Sequence, residues 1–304
     1  MVLSVLSCFA SRFARFGSVS TPPLPTVALI AASFVVCVGC TKTSEVSKQK
    51  ARAEVELLAK AAVVDVEEVR RGLPLGAKQL EAFFALPDDK AQGDAAAAKE
   101  ALNTARGRVQ DLRTAKSTFF LIADNNGLIL RSDLEHDALA TKNLFGAFGD
   151  LKSASSGKYV ETRGSMAEAA GVRGRTDGQW AAATPVMKGT AVAGVYATGW
   201  SWSAYAYRLE NQLRSTVKSE AAATNTREPL VYVYVVVDKE TYGAPISPDV
   251  NAKAVRESGL LGRATGESVV DAAQEIEGRD FGIALRRVPA LGTDVAIAVV
   301  RSET

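Results

Sequence analysis

At Ser117 the hydrophobic period of this chain changes from helical to strand-like, and that change restricts the folds open to it. Before it, residues 44–71 contain neither Gly nor Pro, and Val46, Val55, Leu58, Ala62, Val66 and Val69 fall at mostly helical spacings, which predicts one long helix. Gly72-Leu73-Pro74-Leu75-Gly76 supplies a stop signal, a shorter amphipathic piece follows over 78–86, and Pro87-Asp88-Asp89 breaks the chain again. Residues 94–114 read as a second long helix. The alanines at 95–98 favour helix by propensity, with a low-complexity linker as the other reading.

After Ser117, Phe119-Phe120-Leu121-Ile122-Ala123 runs into the turn signal Asp124-Asn125-Asn126-Gly127, and Leu128-Ile129-Leu130-Arg131 returns as a hairpin. A mixed helix and loop around Asn143-Leu144-Phe145 precedes a strand over 158–163. Residues 179–187 and 191–200 form a second hairpin, 205–219 read as a helix, and Ala221 to Thr226 suit a connector. The plan then repeats in shorter form: residues 179–186 correspond to 279–286, and 192–196 to 295–299. Structural duplication and chance alignment of two β-rich segments both fit this pattern.

The three cysteines are Cys8, Cys37 and Cys40. The apolar run from Thr26 to Val38 stops at Gly39-Cys40 and turns polar at Thr41-Lys42-Thr43-Ser44-Glu45. Arg12 and Arg15 precede it with no acid, and the run has the length of a signal h-region. Gly39-Cys40 resembles a bacterial lipobox, which implies cleavage before Cys40 and acylation of its thiol. An uncleaved membrane anchor is the alternative. Two or three acyl chains make a stable anchor. A processed chain keeps one cysteine and forms no disulfide, so burial alone must stabilise its fold. The chain carries 36 Lys and Arg against 34 Asp and Glu; loss of a segment holding two Arg and no acid leaves it formally neutral. No basic stripe interleaved with aromatics is present, which argues against a nucleic-acid partner.

Between Ser117 and Tyr205 the order of elements resembles an extracytoplasmic Cache domain, the PAS-like sensor module of chemoreceptors and sensor kinases. The residues that carry the resemblance are the strand 119–123 with Asp124-Asn125-Asn126-Gly127, Arg131-Ser132-Asp133, Gly157 before a strand, Ala183-Thr184-Pro185-Val186, and the strand from Val192 to Ser201. With the second unit included, the chain is similar to a double Cache sensor. The expected fold class is α+β: long N-terminal helices followed by one or two PAS-like antiparallel sheets. The expected organisation is a signal peptide at 1–39, a lipid-anchored helical segment at 40–116, a Cache-like domain at 117–220 and a smaller PAS-like domain at 221–304.

The resemblance implies binding of a small molecule of the amino-acid, carboxylate, amine or purine kind, relayed through the long helix. No kinase, cyclase or methyl-accepting region is readable in the chain, so the expected relay runs through a membrane signalling partner. Alternation puts Tyr159, Glu161 and Arg163 on one strand face, where Arg163 would fork to a carboxylate and Tyr159 pack on the ligand body. Trp180, Thr184, Tyr196 and Thr198 lie on the two later strands, and Arg131 and Asp133 stand where Cache ligand sites recruit polar groups. The candidate ligand residues are therefore Arg131, Asp133, Tyr159, Arg163, Trp180 and Tyr196, with Cys40 as the lipidation site. Trp200, Trp202 and Tyr205 read as a packing hinge, or else as a partner face.

Catalysis finds little support. His136 is the single histidine, in a polar Asp133-to-Asp137 loop, and no free cysteine or second histidine completes a nucleophile pair or zinc set. Asp124-Asn125-Asn126-Gly127 lacks the further acids of a calcium loop, and Gly72 to Lys78 has the wrong spacing for a phosphate loop. No enzyme activity, metal or cofactor is expected. The expected function is a lipid-anchored extracytoplasmic sensor, on the periplasmic or cell-surface side; Thr41 after Cys40 leans toward the outer membrane. The rival is a structural or assembly lipoprotein that uses the sheet as an interaction scaffold.

Overall fold

The computed structural model describes residues 43–84, 95–169 and 177–303. Cys40 and the apolar run before it lie outside the described residues. Thr41–Thr304 forms one compact unit. Its first element is helix α1 (Thr43–Gln79), 37 residues and so about 55 Å long. Ser47, Ala51, Val55, Leu58, Ala62, Asp65, Val66, Val69 and Leu73 are buried along one stripe of it, three or four residues apart for the most part.

The helices and strands that follow are α2 (Glu81–Phe84), α3 (Ala95–Arg108), α4 (Gln110–Thr114), β1 (Phe119–Ala123), β2 (Ile129–Ser132), α5 (Leu144–Ala147) and β3 (Val160–Gly164). Then come β4 (Gln179–Lys188), β5 (Ala191–Ser201), α6 (Trp202–Thr224), β6 (Leu230–Val237) and β7 (Glu240–Gly243). The chain ends with α7 (Asp249–Glu257), α8 (Leu260–Arg263), β8 (Val269–Ile276), β9 (Arg279–Arg287) and β10 (Val295–Ser302). A 3₁₀ turn, Gly149–Ser156, precedes β3.

Two five-stranded antiparallel sheets result, ordered β2-β1-β5-β4-β3 and β7-β6-β10-β9-β8. The orders are the same plan used twice. β4 and β9 hold equivalent places, as do β5 and β10, in agreement with the correspondence read from the sequence. Strand alternation gives each sheet two faces. One face of both sheets joins a shared core with α1 and α6, where Phe120, Trp180, Tyr196 and Trp200 of the first sheet meet the same helices as Val233, Ala284, Ile297 and Val299 of the second. The opposite faces have separate cores. Leu121, Ala183 and Ala197 pack under Leu144, Phe148 and Leu151, while Tyr234, Ile283 and Val300 pack under Val255 and Leu260.

Several element boundaries differ from the sequence reading. Gly72 to Gly76 does not end α1, which carries Pro74 in its interior. Proline there removes one helical hydrogen bond, but the small residues beside it seat the helix. A Cβ at position 76 would lie 2.6 Å from Leu112 Cδ1 and 2.8 Å from Tyr196 Cε1. The second long helix is two, separated at Val109, whose backbone is extended and whose side chain is buried. The Ala95 to Ala98 run is helical, not a linker. The Ala221 to Thr224 stretch of the expected connector continues α6, since alanine favours helix, and Asn225 caps the end in the left-handed conformation at φ 50°.

Close approach fixes α1 to the second sheet as well. A Cβ on Gly282 of β9 would fall 2.2 Å from the backbone nitrogen of Lys48. At mid-helix, the buried Asp65 accepts a hydrogen bond from Tyr205 Oη at 2.7 Å and pairs with Lys116 Nζ at 2.5 Å. Removing one partner of such a buried pair typically costs about 3–5 kcal/mol. Asp65→Ala is therefore expected to lower the unfolding free energy by about 3 kcal/mol in urea titration. Gly282→Val, which forces α1 off β9, should cost about 1–3 kcal/mol in the same measurement.

Candidate ligand-binding site

A cavity of about 510 Å³ opens between α1, the β3 edge of the first sheet and the turn joining β9 to β10. Its walls are Arg70 of α1, Asp150 of the 3₁₀ turn, Glu161, Thr162 and Arg163 of β3, Trp180 of β4, and residues 289–292. Register explains the grouping. Arg163 is paired across the strands with Trp180, and Trp180 with Trp200, so the three stand in one row on the shared-core face. Glu161 and Ala182 form the next row on that face, and Val160 points into the opposite core.

Most of the charge here is already committed. Arg70 donates from Nε and Nη2 to the two Glu161 oxygens at 2.7 and 3.0 Å, and from Nη1 to Glu67 at 2.6 Å. The hydrogen bond to Glu161 pushes the Arg70 guanidinium above its ordinary range. Tyr159 Oη donates to Glu161 at 2.9 Å, and burial raises its phenol. Thr162 donates to Asp150 at 2.7 Å. Arg163 differs. Its Nη1 lies 2.8 Å from both oxygens of Asp294, whose carboxyl is held below the usual range by that hydrogen bond, while its Nε and Nη2 have no partner among the described residues. This ion pair ties the edge of the first sheet to the start of β10.

Trp180 stacks on Trp200 with ring centroids 4.3 Å apart, and Trp200 on Tyr205 at 4.9 Å. Tyr205 ends the stack on Asp65. The aromatic series thus leads from the cavity wall to the middle of α1 and the first turn of α6, at the place the sequence suggested for a packing hinge.

The structure brings Arg163 and Trp180 to this cavity, with Tyr159 behind Glu161. It places Arg131, Asp133 and Tyr196 elsewhere, on the β1–β2 side of the sheet. Asp133 accepts from the Phe120 amide at 2.8 Å and from Arg106 at 3.3 Å, and burial raises its carboxyl. Arg131 donates to the Leu130 carbonyl at 2.6 Å and pairs with Asp137. Tyr196 stacks on Phe120, its hydroxyl buried without a hydrogen-bond partner among the described residues. Thr198 donates to the Phe119 carbonyl at 2.7 Å. His136 is exposed, and no group of three metal-ligating side chains occurs among the described residues. Asp124 caps its turn by accepting from the Asn126 and Leu128 amides at 2.9 and 2.8 Å.

Sequence reasoning missed Arg70, Asp150, the 289–292 turn and Asp294. Arg70 and Glu161 are 91 residues apart and Arg163 and Asp294 are 131 apart, so no local pattern marks either pair.

No family description and no curated protein matches the sequence. Solved structures do match. A domain of a sensory box/GGDEF family protein from Vibrio parahaemolyticus aligns over 86% of this chain and 98% of its own, with TM-score 0.54 and 10% identity. The extracellular domain of the histidine kinase vpHK1S-Z8 aligns over 86% of this chain and 92% of its own, also with TM-score 0.54 and 10% identity. An extracellular ligand binding receptor from Desulfohalobium retbaense aligns over 83% of this chain at TM-score 0.47 and 12% identity, and the chain spans 40% of that receptor. The fold, a long helix followed by two five-stranded antiparallel sheets, is similar to that of the first two of these solved domains.

Side chains of Arg163 and Asp294 are each more than a third exposed, so solvent screening limits what their pairing adds to stability. Arg163→Ala and Asp294→Ala are each expected to change the unfolding free energy by less than about 1 kcal/mol in urea titration.

Proposed function

We propose that the chain is an extracytoplasmic small-molecule sensor, held at a membrane through acylated Cys40, that passes ligand binding to a membrane signalling partner. The observation that carries this reading is the 510 Å³ cavity whose walls come from both sheets and α1 and whose Arg163 keeps unused donors. A ligand carboxylate would take Nε and Nη2 of Arg163 in a forked hydrogen bond, with Trp180 behind it. Arg70 and Glu161 satisfy each other and hold the wall in place. The working units are the anchored helical segment 40–116, the sensor sheet 117–220 and the second sheet 221–304. The protein acts by binding and not by catalysis, and needs no cofactor. Residence in the outer membrane is part of the same proposal, resting on Thr41 after Cys40.

A second reading, an assembly lipoprotein with the sheets as a scaffold, is favoured by the other face of the first sheet. There Leu139, Leu144, Phe148, Leu151 and Met166 are buried against the strands.

Thermal melting of Thr41–Thr304 against amino acids, organic acids, amines and purines separates the two. A ligand at about a hundredfold its Kd adds roughly 2.7 kcal/mol, a shift of several degrees for a chain of this size. The sensor reading expects a selective shift that Arg163→Ala abolishes. No shift across the set, with co-purification of a defined partner, would replace it by the scaffold.

A further inference from the structure

Four strands lie at sheet edges among the described residues, and β8, with eight residues, is the longest of them. The two-residue turn Glu277-Gly278, at φ 49° and 77°, closes β8 onto β9 at the pair of Ile276 with Arg279. Antiparallel alternation then turns the backbone groups of Ala272, Gln274 and Ile276 toward β9 and those of Asp271, Ala273 and Glu275 outward. The outward carbonyls nearer the start of the strand are taken. Arg52 Nη1 donates to the Val269 carbonyl at 3.4 Å and Arg263 Nη2 to that of Asp271 at 3.3 Å. Ala273 and Glu275 are exposed, and their backbone N–H and C=O groups have no hydrogen-bond partner among the described residues. The outer edge of β2, by contrast, is covered at Ile129, whose amide donates to the Lys142 carbonyl at 2.9 Å and whose carbonyl accepts from the Thr141 amide at 2.8 Å.

A second, smaller cavity of about 170 Å³ adjoins this free stretch, between α7 and β8. Val250 and Ala254 of α7 and Ile276 of β8 give it apolar walls, and Glu257, Glu275 and Glu277 stand around it. Glu275 and Glu277 have no ion pair among the described residues. Lys253, the one cation at the cavity among those residues, is drawn to Glu257 at 3.8 Å. Three carboxylates against one ammonium leave an excess of negative charge beside unpaired backbone groups.

We propose that the free part of β8 docks an extended basic segment of a partner protein, which adds a strand to the second sheet by pairing with Ala273 and Glu275. In strand addition the backbone hydrogen bonds supply the attachment and alternate side chains supply the selectivity. The residue opposite Gln274 shares its sheet face. A Lys or Arg there lays its aliphatic stem against Val250, Ala254 and Ile276 and its cation among the carboxylates. An acidic segment meets Glu257, Glu275 and Glu277 instead. A second copy of this chain is disfavoured for the same reason, since antiparallel pairing of β8 with itself about Ala273 sets Glu275 opposite Asp271.

A fluorescein-labelled peptide of alternating lysine and threonine, titrated with the full chain and followed by anisotropy, is the test. Threonines opposite Ala273 and Glu275 hydrogen-bond to β8, whereas the lysine amides point away from it. N-methylation of the threonine amides should therefore weaken binding by about tenfold or more, and N-methylation of the lysine amides should leave it nearly unchanged. Ala273→Pro removes an amide that β9 does not use, at a position where an edge strand accepts proline, and should weaken the peptide by a similar factor. Glu275→Lys should also weaken it, and should raise the affinity of a peptide of alternating glutamate and threonine. This surface change gives an independent reading if the proline variant fails to fold. Carboxylates that serve only to keep other strands off the edge would leave the lysine peptide unbound. No binding, equal affinity for the lysine and glutamate peptides, or methylated threonines without effect would each overturn the proposal.

Discussion

The buried stripe of α1 is the constraint on which the rest of the molecule depends. A five-stranded sheet of this kind has an apolar face that must be covered, and here both sheets place that face on the same helix. Val55 and Leu58 belong to the same continuous core as Val233 and Ile297 of the second sheet, and Val66 and Leu73 to the same core as Phe120 and Tyr196 of the first. The two approach points, Gly282 against Lys48 and Gly76 against Leu112 and Tyr196, lie near opposite ends of the helix. Neither sheet can shift along α1 without steric cost at one of them.

Asp65 gives that apolar stripe a polar fixed point. A carboxylate in this position is tolerated because Tyr205 and Lys116 both reach it. Its position also joins the long helix to the aromatic series that ends at the cavity wall. Trp180, Trp200 and Tyr205 are rigid, closely stacked side chains on β4, β5 and α6, so a displacement of the β3–β4 edge meets α6 through packed rings. From α6, Glu210 accepts the Val233 amide of β6 at 3.0 Å, which carries the connection to the second sheet. The Arg163 to Asp294 pair is a second link between the two sheets, at the wall of the first cavity.

Use of one strand order twice accounts for much of the architecture, but the two copies are not equivalent in what they offer. The first copy uses its edge strand β3 to present Glu161 and Arg163, and its partner strand adds Trp180. In the second copy the corresponding edge strand β8 pairs Asp271 with Arg52 of α1, tying charge to the helix instead. The second sheet contributes to the first cavity through the β9–β10 turn.

What the sequence by itself determined is the kind and order of the elements. Helical spacing along 44–71, alternation at Tyr159 to Arg163 and the turn at Asp124 to Gly127 are local signals, and local backbone physics is enough to read them. The correspondence of 179–186 with 279–286 also carried the repeated sheet plan. The lengths of α1 and α6 escaped it, because tertiary packing around Gly72 and Gly76 overrode a local stop signal and the alanine run beyond Ser219 was helix rather than connector. The cavities were decided by tertiary structure alone. Arg163 was legible as a candidate ligand contact, but its partner at 294 and the Arg70–Glu161 clamp come from distant segments brought together by the shared core. A charge pattern records which side chains are available; only the packing of two sheets on one helix decides which are spent on each other and which remain for a ligand.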